Sequence, residues 1–123
     1  GMVSTMRVNA DTMRAGAEGG FMAATDLADY LVGKDIPFRR AHEIVGELVL
    51  KCEKEGRTLQ SLTPAELAAH CADFGPDAVE AVDIDRIVAR RTTEGGTGHE
   101  AVKAQMAKAD DVLAGEAEWL EER

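Results

Sequence analysis

The sequence predicts an all-α fold, a compact helical domain built on a helical hairpin, and three observations support this prediction. Apolar residues recur at steps of three and four along most of the chain, which is the spacing of one face of an α-helix. Only five of the 123 residues are aromatic, so we expect a core of aliphatic side chains, which suits helices packed on helices. No stretch has the alternating pattern of a convincing β-strand.

A short helix is predicted from Ala10 to about Glu18, after an irregular start to the chain. Asn9 is a favourable N-cap residue for it, because an asparagine side chain can accept a hydrogen bond from the first turn. Gly19-Gly20 is predicted to end the helix. Its buried side is predicted to hold Val8, Met13 and Ala17.

The hairpin is predicted within the stretch Gly20–Gly46, with helices at about 23–33 and about 37–55. Gly33 is expected to end the first helix. Pro37 is expected to open the second, because the missing N–H of proline costs nothing in a first turn. The two apolar faces consist of Ala24, Leu27, Ala28 and Leu31 in the first helix, and of Phe38, Ala41, Ile44, Val45, Leu48, Val49 and Cys52 in the second.

The second hairpin helix carries a clear end signal and one unusual residue. Lys54 followed by Gly56 is typical of a helix C-terminus. Gly46 lies inside the helix, where glycine costs roughly 1 kcal/mol relative to alanine. We therefore expect another helix to cross closely at Gly46, the alternative being that the cost is simply carried.

Short helical pieces are predicted to cover the hairpin. Thr63-Pro64-Ala65-Glu66 predicts the start of the first, because threonine can cap a helix, proline fits its first position and Glu66 completes a capping box. This helix is expected to run from Pro64 to about Ala72, followed by helical segments at about 77–82 and about 84–91. Their predicted buried residues are Leu67, Ala68, Cys71, Ile84, Ile87 and Val88.

The longest helix is predicted at about 98–121, opened by a second capping-box pattern at Thr97 and Glu100. Its length would be about 35 Å at 1.5 Å per residue. This exceeds what a small domain needs, so its end is expected to project or to pair with another chain. An apolar seam, interrupted by Glu116, contains Val102, Met106, Ala109, Leu113 and Leu120.

Charge and composition limit the possible partners. The chain has 23 acidic and 14 basic side chains, a net charge of -9, which disfavours nucleic acid and anionic membranes. Two cysteines outside any CxxC pair suit reduced thiols and a cytoplasmic location. No apolar run approaches the length of a membrane span, and no signal peptide is visible. Gly1 before Met2 looks like a residue left by tag cleavage, and the fold prediction excludes it.

The residue types needed for catalysis are sparse. Ser4 and Ser61 lack a predicted histidine partner, so a Ser-His arrangement is not expected. His42 is predicted to be a partly buried structural histidine bonded to a neighbouring carboxylate or carbonyl, rather than a base or ligand. His70-Cys71 and Cys52 could suggest zinc, but adjacent helical residues point about 100° apart, so no metal site is predicted. His99 is expected to be exposed.

Two charged clusters keep a functional alternative open. Asp26 and Asp29 lie three residues apart, and we expect one of them to cap the helix or to form an ion pair with Arg39 or Arg40, the ion pair being preferred to a paired-carboxylate site. The two arginines could instead bind a carboxylate substrate. The loop Thr92–Thr97 precedes a helix N-terminus, as in anion sites, but its spacing fits no phosphate-binding motif, and we expect it to pack against the domain.

Two blocks of the sequence resemble the C-terminal domain of argininosuccinate lyase. One contains Ala24-Thr25-Asp26-Leu27-Ala28-Asp29-Tyr30-Leu31-Val32 and continues with Pro37-Phe38-Arg39 and Ala41-His42. The other contains Arg90-Arg91 and Glu94-Gly95-Gly96-Thr97. The resemblance covers nearly the whole chain and divides it into 1–19, the junction to the lyase core, and 20–123, the C-terminal helical domain. The matching positions that we regard as structural markers are Thr25, Asp26, Leu27, Asp29, Tyr30, Leu31, Pro37, Phe38, Arg39, His42, Gly95, Gly96 and Thr97.

The resemblance implies an all-helical homotetrameric enzyme that cleaves argininosuccinate to arginine and fumarate without a cofactor. The family's catalytic serine loop and catalytic histidine segments are absent from this sequence. No catalytic, cofactor-binding or metal-binding residue is therefore carried over, and the chain should be inactive alone.

Two function classes remain. In the first, the chain is a structural part of a lyase, and its partner is the rest of the lyase chain or a lyase core. In the second, it is a free-standing lyase-like domain that acts as a binding or regulatory module. Self-association is expected in either case, around a surface that contains Met13, Phe21 and Met22.

Overall fold

The computed structural model describes residues 1–19 and 21–121, with side chains described up to residue 116. These residues form helices and turns, and no strand occurs among them, which confirms the all-α prediction. The chain divides into two units, residues 1–84 and the residues from 85 onward. The α-helices are α1 (Ala10–Glu18), α2 (Ala24–Val32), α3 (Phe38–Glu55), α4 (Pro64–His70), α5 (Ile84–Ala89) and α6 (His99–Glu121), and the 3-10 helices are Val3–Thr5, Leu59–Ser61 and Pro76–Ala81.

The first unit is built on the predicted hairpin of α2 and α3, which pack against each other more extensively than any other pair of described elements. Gly33 is the C-cap of α2, and the residue with a left-handed backbone in the following turn is Asp35, at φ 67°. Pro37 is the N-cap of α3 rather than its first residue, and its carbonyl accepts the first helical bond from Ala41 N–H. The buried residues of the two helices are Asp26, Leu27, Ala28, Leu31, Ala41, Ile44, Val45, Leu48 and Cys52.

The segment between α3 and α5 completes this core. Tyr30 on α2 anchors it, because its hydroxyl donates to Asp77 Oδ1 at 2.7 Å and accepts from Gly75 N–H at 3.1 Å. The Tyr30 ring also stacks on Phe74, with 6.2 Å between ring centroids. His70 at the end of α4 places Nε2 3.0 Å from the carbonyl oxygen of Ile44 on α3. The apolar side chains that this segment buries are Leu59, Leu62, Leu67, Phe74, Ala78, Ala81 and Val82.

The connection from α3 to α4 has the predicted caps. Gly56 ends α3 in the left-handed conformation, at φ 63°. Thr63 and Glu66 form the capping box: Thr63 N–H donates to Glu66 Oε2 at 2.8 Å, and Glu66 N–H donates to Thr63 Oγ1 at 3.3 Å. Arg57 adds a two-pronged contact to the same carboxylate, at 2.6 and 3.2 Å. The Arg57 guanidinium and the Thr63 donors lower the pKa of Glu66 to about 2.

Four burial predictions in this unit are wrong, those for Val8, Met13, Phe38 and Ala68, the last of which is exposed on α4. Met13 and Val8 are 66% and 70% exposed, and α1 has no buried residue. The N-cap of α1 is Asn9, as predicted, but its side chain makes no capping hydrogen bond. Phe38, the first residue of α3, is 60% exposed, although it continues the apolar face of that helix.

The second unit contains the start of α6 and the loop before it. The α-helix begins at His99, and the carbonyl of Gly98 accepts from Val102 N–H, so Gly98 occupies the N-cap position predicted for Thr97. Ala101 is buried, whereas the apolar seam is open: Met106 and Leu113 are 63% and 61% exposed. The side chain of Leu120, the last predicted seam residue, and Gly20, in the predicted α1–α2 connection, lie outside what the structure describes.

Replacing Glu66 with glutamine should change the acid sensitivity of the fold. A carboxylate with a pKa of about 2 instead of 4.5 contributes stability that is complete above pH 4.5 and is lost as the pH falls towards 2. We expect the melting temperature of the unaltered chain to fall more steeply over this interval than that of Glu66→Gln, measured by circular dichroism. Glu53→Gln, at an exposed position of α3, is the control and should retain the steep dependence. Parallel curves for Glu66→Gln and the unaltered chain would contradict the assignment.

Candidate functional site

An apolar groove lies between the two hairpin helices, and we call it the α2–α3 groove. It is a cavity of about 430 Å³ within the first unit. Small residues line much of it, and its polar lining is confined to Thr25 and His42. Such a lining suits an apolar side chain or a helix from another segment, because polar groups that would orient a small ligand are few. The lining residues are Ala24, Thr25 and Ala28 of α2, and Phe38, His42, Val45, Gly46 and Val49 of α3.

Gly46 leaves this groove open. A Cβ atom at Gly46 would meet no atom within 4 Å, so the described chain contains no helix that crosses closely there. The prediction of a close crossing is therefore wrong within the part of the chain that the structure describes. The glycine instead leaves space in the middle of an exposed helix face, at a cost of about 1 kcal/mol in helix propensity.

Phe38 and His42 form one edge of the groove. They lie one helical turn apart on α3, with 6.1 Å between their ring centroids. Both are exposed, so the prediction that His42 is partly buried and bonded to a neighbour is wrong. The histidine with that arrangement is His70, bonded to the Ile44 carbonyl. Helical spacing could not show which of His42 and His70 is bonded, because spacing does not show which residues of α3 another helix contacts.

The carboxylates and arginines near the groove differ in environment. Asp26 is 7% exposed in the first turn of α2, where the positive end of the helix dipole favours a negative charge. Its burial was missed because an acidic residue in an apolar stretch reads as a solvent-facing position. Asp29 and Arg39 are exposed, and Arg40 pairs with Glu43 on its own helix at 3.3 Å.

The second block of marker residues, Gly95-Gly96-Thr97, forms a tight loop in the second unit. Gly96 N–H donates to the Thr93 carbonyl at 2.8 Å, and Gly98 N–H donates to the Arg91 carbonyl at 3.0 Å. The loop is tied to α6, because Gln105 Nε2 donates to the Gly96 carbonyl at 3.0 Å. A Lys108–Glu94 ion pair of 3.1 Å makes a second tie. These bonds attach the loop to α6, and its packing against the rest of the domain stays a prediction.

A second cavity of about 580 Å³ lies between α1 and the residues around Gln60 and Asp83. Gln60 Nε2 is buried there and has no hydrogen-bond partner. Buried amide groups normally have a hydrogen-bond partner, so Gln60 Nε2 is a donor in the first unit that lacks an acceptor. Sequence patterns gave no signal for it, because Gln60 lies in a short 3-10 helix without periodicity.

Two other kinds of site are absent from the described residues. No group of three or more histidine, cysteine, aspartate or glutamate side chains there is arranged to hold a metal ion. None of the described helices has the length and apolarity required to cross a membrane. Cys52 is buried and Cys71 half-buried, both as free thiols, and burial raises the pKa of Cys52.

Comparison with known proteins gives a consistent result. The family described as "Argininosuccinate lyase C-terminal" matches residues 21–89, which include the first block of marker residues. Argininosuccinate lyases from Desulfitobacterium hafniense and Clostridium beijerinckii are 46% and 43% identical over 112 and 114 residues, 91% and 93% of this chain. The enzyme from Nitratidesulfovibrio vulgaris is 45% identical over 122 residues, 99% of the chain. The chain spans about a quarter of the length of these curated relatives, 24%, 25% and 25% respectively.

Replacing Gly96 with alanine should loosen the loop before α6. The new Cβ would clash with the Arg91 carbonyl oxygen and lie 2.8 Å from that of Thr93. We expect the free energy of unfolding, measured by urea denaturation, to fall by roughly 1–3 kcal/mol, a typical cost of overpacking.

Gly115→Ala is the matched control, because a Cβ there meets nothing within 4 Å and alanine favours the helix. This control should show no loss of stability. Equal stability of the Gly96→Ala variant and the unaltered chain would show that the loop relaxes without cost.

Proposed function

The chain belongs to the argininosuccinate lyase family, and from this premise we propose that it is the C-terminal domain of a cytoplasmic lyase of arginine biosynthesis. The whole enzyme would cleave argininosuccinate to arginine and fumarate. This domain would have a structural and assembly role. It would be inactive alone, because the family's catalytic serine loop and catalytic histidine segments are absent from its sequence.

The observation that carries this proposal is the open α2–α3 groove. Phe38 is 60% exposed at its edge, and Gly46 leaves its middle empty. An exposed apolar surface of this kind usually marks an interaction site. The relatives are about four times as long as this chain, so most of a lyase lies outside the matched region and can supply the missing cover.

The occupant that we propose is a helix of the remaining lyase chain. A helix can approach α3 closely at Gly46, because glycine presents no side chain. Ala24 and Ala28 on the opposite wall also keep the groove wide enough for an incoming side chain. Docking here would fix the domain to the rest of the enzyme, and through this contact the domain would influence closure over the active site.

Replacing Phe38 with alanine tests the groove. In the 123-residue chain the free energy of unfolding should change by no more than about 0.5 kcal/mol, as for other exposed positions. In the full-length lyase the loss of a buried aromatic anchor should cost roughly 2 kcal/mol and lower turnover. Denaturation and activity assays on both proteins measure the difference.

Leu50→Ala is the matched control, because Leu50 is 55% exposed on α3 but lies outside the groove. The control should have little effect in either protein. Equal effects of the two substitutions in the full-length enzyme would contradict the proposal that a helix docks in the groove.

Gly46→Gln gives a test with opposite signs in the two proteins. The isolated chain should gain up to about 1 kcal/mol, because glutamine is a better helix former and its Cβ meets no atom within 4 Å. The full-length lyase should lose stability, because the new side chain would fill the space that the docked helix requires. A gain in both proteins would mean that the groove stays open in the enzyme.

The size of the native polypeptide separates the two function classes. An antibody raised against this chain should detect a band about four times larger than 13.2 kDa in an extract of the source cells. A band near 13.2 kDa would instead indicate a free-standing binding or regulatory module. The search for its partner would then begin with a lyase core that lacks this domain.

A further inference from the structure

The helix α6 carries an apolar seam that no described residue of its own unit covers. Val102 is 40% exposed, Met106 63% and Leu113 61%. The side of α6 that contacts the preceding loop is a different one, because it contains Ala101, Gln105 and Lys108. The seam lies about 100° around the helix from that side, at 100° per residue.

The seam has the spacing of a coiled coil. Val102, Met106, Ala109 and Leu113 follow one another at steps of four, three and four, which are the steps between core positions of a heptad. The same spacing places His99 and Glu116 at heptad core positions, one before this run of apolar residues and one after it. Lys103 and Asp110 occupy the equivalent flanking position in successive heptads.

The charges on α6 are separated along its length. The first half, residues 99–108, carries Lys103, Lys108 and Glu100, whereas the described part of the second half carries Asp110, Asp111 and Glu116. Two copies aligned in parallel would bring the acidic halves together. Two antiparallel copies would bring Lys103 of each copy towards Asp110 of the other, whereas Lys108 and Asp111 point away from the seam.

We propose that α6 pairs with α6 of a second copy of this chain as a short antiparallel coiled coil. The heptad spacing sets the register: Val102 packs against Leu113 of the second copy, and Met106 against Ala109. In that register Lys103 lies beside Asp110 of the other copy, and this pair occurs twice because the dimer is symmetric. This inference goes beyond the proposed function and does not depend on the α2–α3 groove.

The same register accounts for the polar residues in the seam. Glu116, which interrupts the apolar pattern, lies opposite His99 of the second copy, whose ring nitrogen can donate a hydrogen bond to it. Lys103 already binds Glu100 at 2.8 Å, and an ammonium group has three donors, so it can keep this contact and reach Asp110 as well.

The net charge of -9 per copy opposes association in general, so the pairing depends on local complementarity. At about 0.15 M salt the screening length is about 8 Å, which weakens the overall repulsion more than the close pairs between flanking residues. Any other segment that packed on the seam would need charges complementary to Lys103 and Asp110. A second, antiparallel copy of α6 already has them.

A charge-swap series on the 123-residue chain tests the pairing by analytical ultracentrifugation at up to about 0.1 mM. Lys103→Glu and Asp110→Lys should each raise the dimer dissociation constant about tenfold, because both symmetric pairs become repulsive. The double variant should recover most of the lost affinity, because the opposite charges are restored. The effects should shrink in 0.5 M salt.

Matched controls carry the same charge changes away from the seam. Asp111→Lys is adjacent to Asp110 but points outward, and Lys51→Glu lies on the exposed side of α3. Both should leave the dissociation constant within about twofold. Equal weakening by the controls, or no recovery in the double variant, would overturn the proposed register.

Crosslinking determines the direction of the two helices. In a Cys71→Ser background, Val102→Cys mixed with Leu113→Cys should form a disulfide between copies, because the register places these residues opposite each other. Val102→Cys alone should not, since its two copies would lie about 16 Å apart along the axis. A disulfide from Val102→Cys alone would indicate a parallel pair and contradict the proposal.

A chain that remains monomeric at about 0.1 mM would overturn self-pairing. Hydrogen exchange of α6 in the full-length lyase would then show whether the rest of the lyase chain covers the seam instead. This result would leave the proposed lyase function unaffected, because that function is tested separately by the groove variants.

Discussion

The first unit depends on the unequal lengths of the two hairpin helices. α2 has nine residues and α3 has eighteen, about 14 Å against about 27 Å, so α2 can cover only half of the α3 apolar face. The segment from Leu59 to Val82 covers another part, anchored by Tyr30 and by His70. The α2–α3 groove lies where the two helices run side by side, and there the first unit has apolar surface that neither α2 nor this segment fills.

The sequence was sufficient for the hairpin and for some of the helix ends. Caps are local, so Thr63 with Glu66 and Gly56 could be predicted from residue types a few positions apart. The exposure of Phe38 and Met13 could not, because periodicity shows which residues share a face but not whether another element covers it. The buried Asp26 was missed for the same reason, because its burial depends on tertiary contacts and not on its neighbours in sequence.

Gly46 and Gly96 show that a glycine can serve opposite packing needs. At Gly96 a Cβ would clash with a backbone carbonyl, so the local fold itself requires glycine. At Gly46 a Cβ would meet no atom within 4 Å. Glycine therefore lowers the stability of the helix there, and no close contact in the described chain requires it. The sequence pattern is the same in both cases, an unexplained glycine, and only the surrounding atoms distinguish them. No described atom requires glycine at position 46. A docking partner that approaches α3 at this point would explain why glycine is present there.

The groove and the seam of α6 are both exposed apolar surfaces, but their charges favour different partners. Around the groove, the polar lining is limited to Thr25 and His42, so complementarity there rests on shape and apolar contact. Along α6, Lys103 and Asp110 flank the seam, so an antiparallel copy of the same helix would pair both. Because the two surfaces belong to separate units, occupation of one does not require occupation of the other.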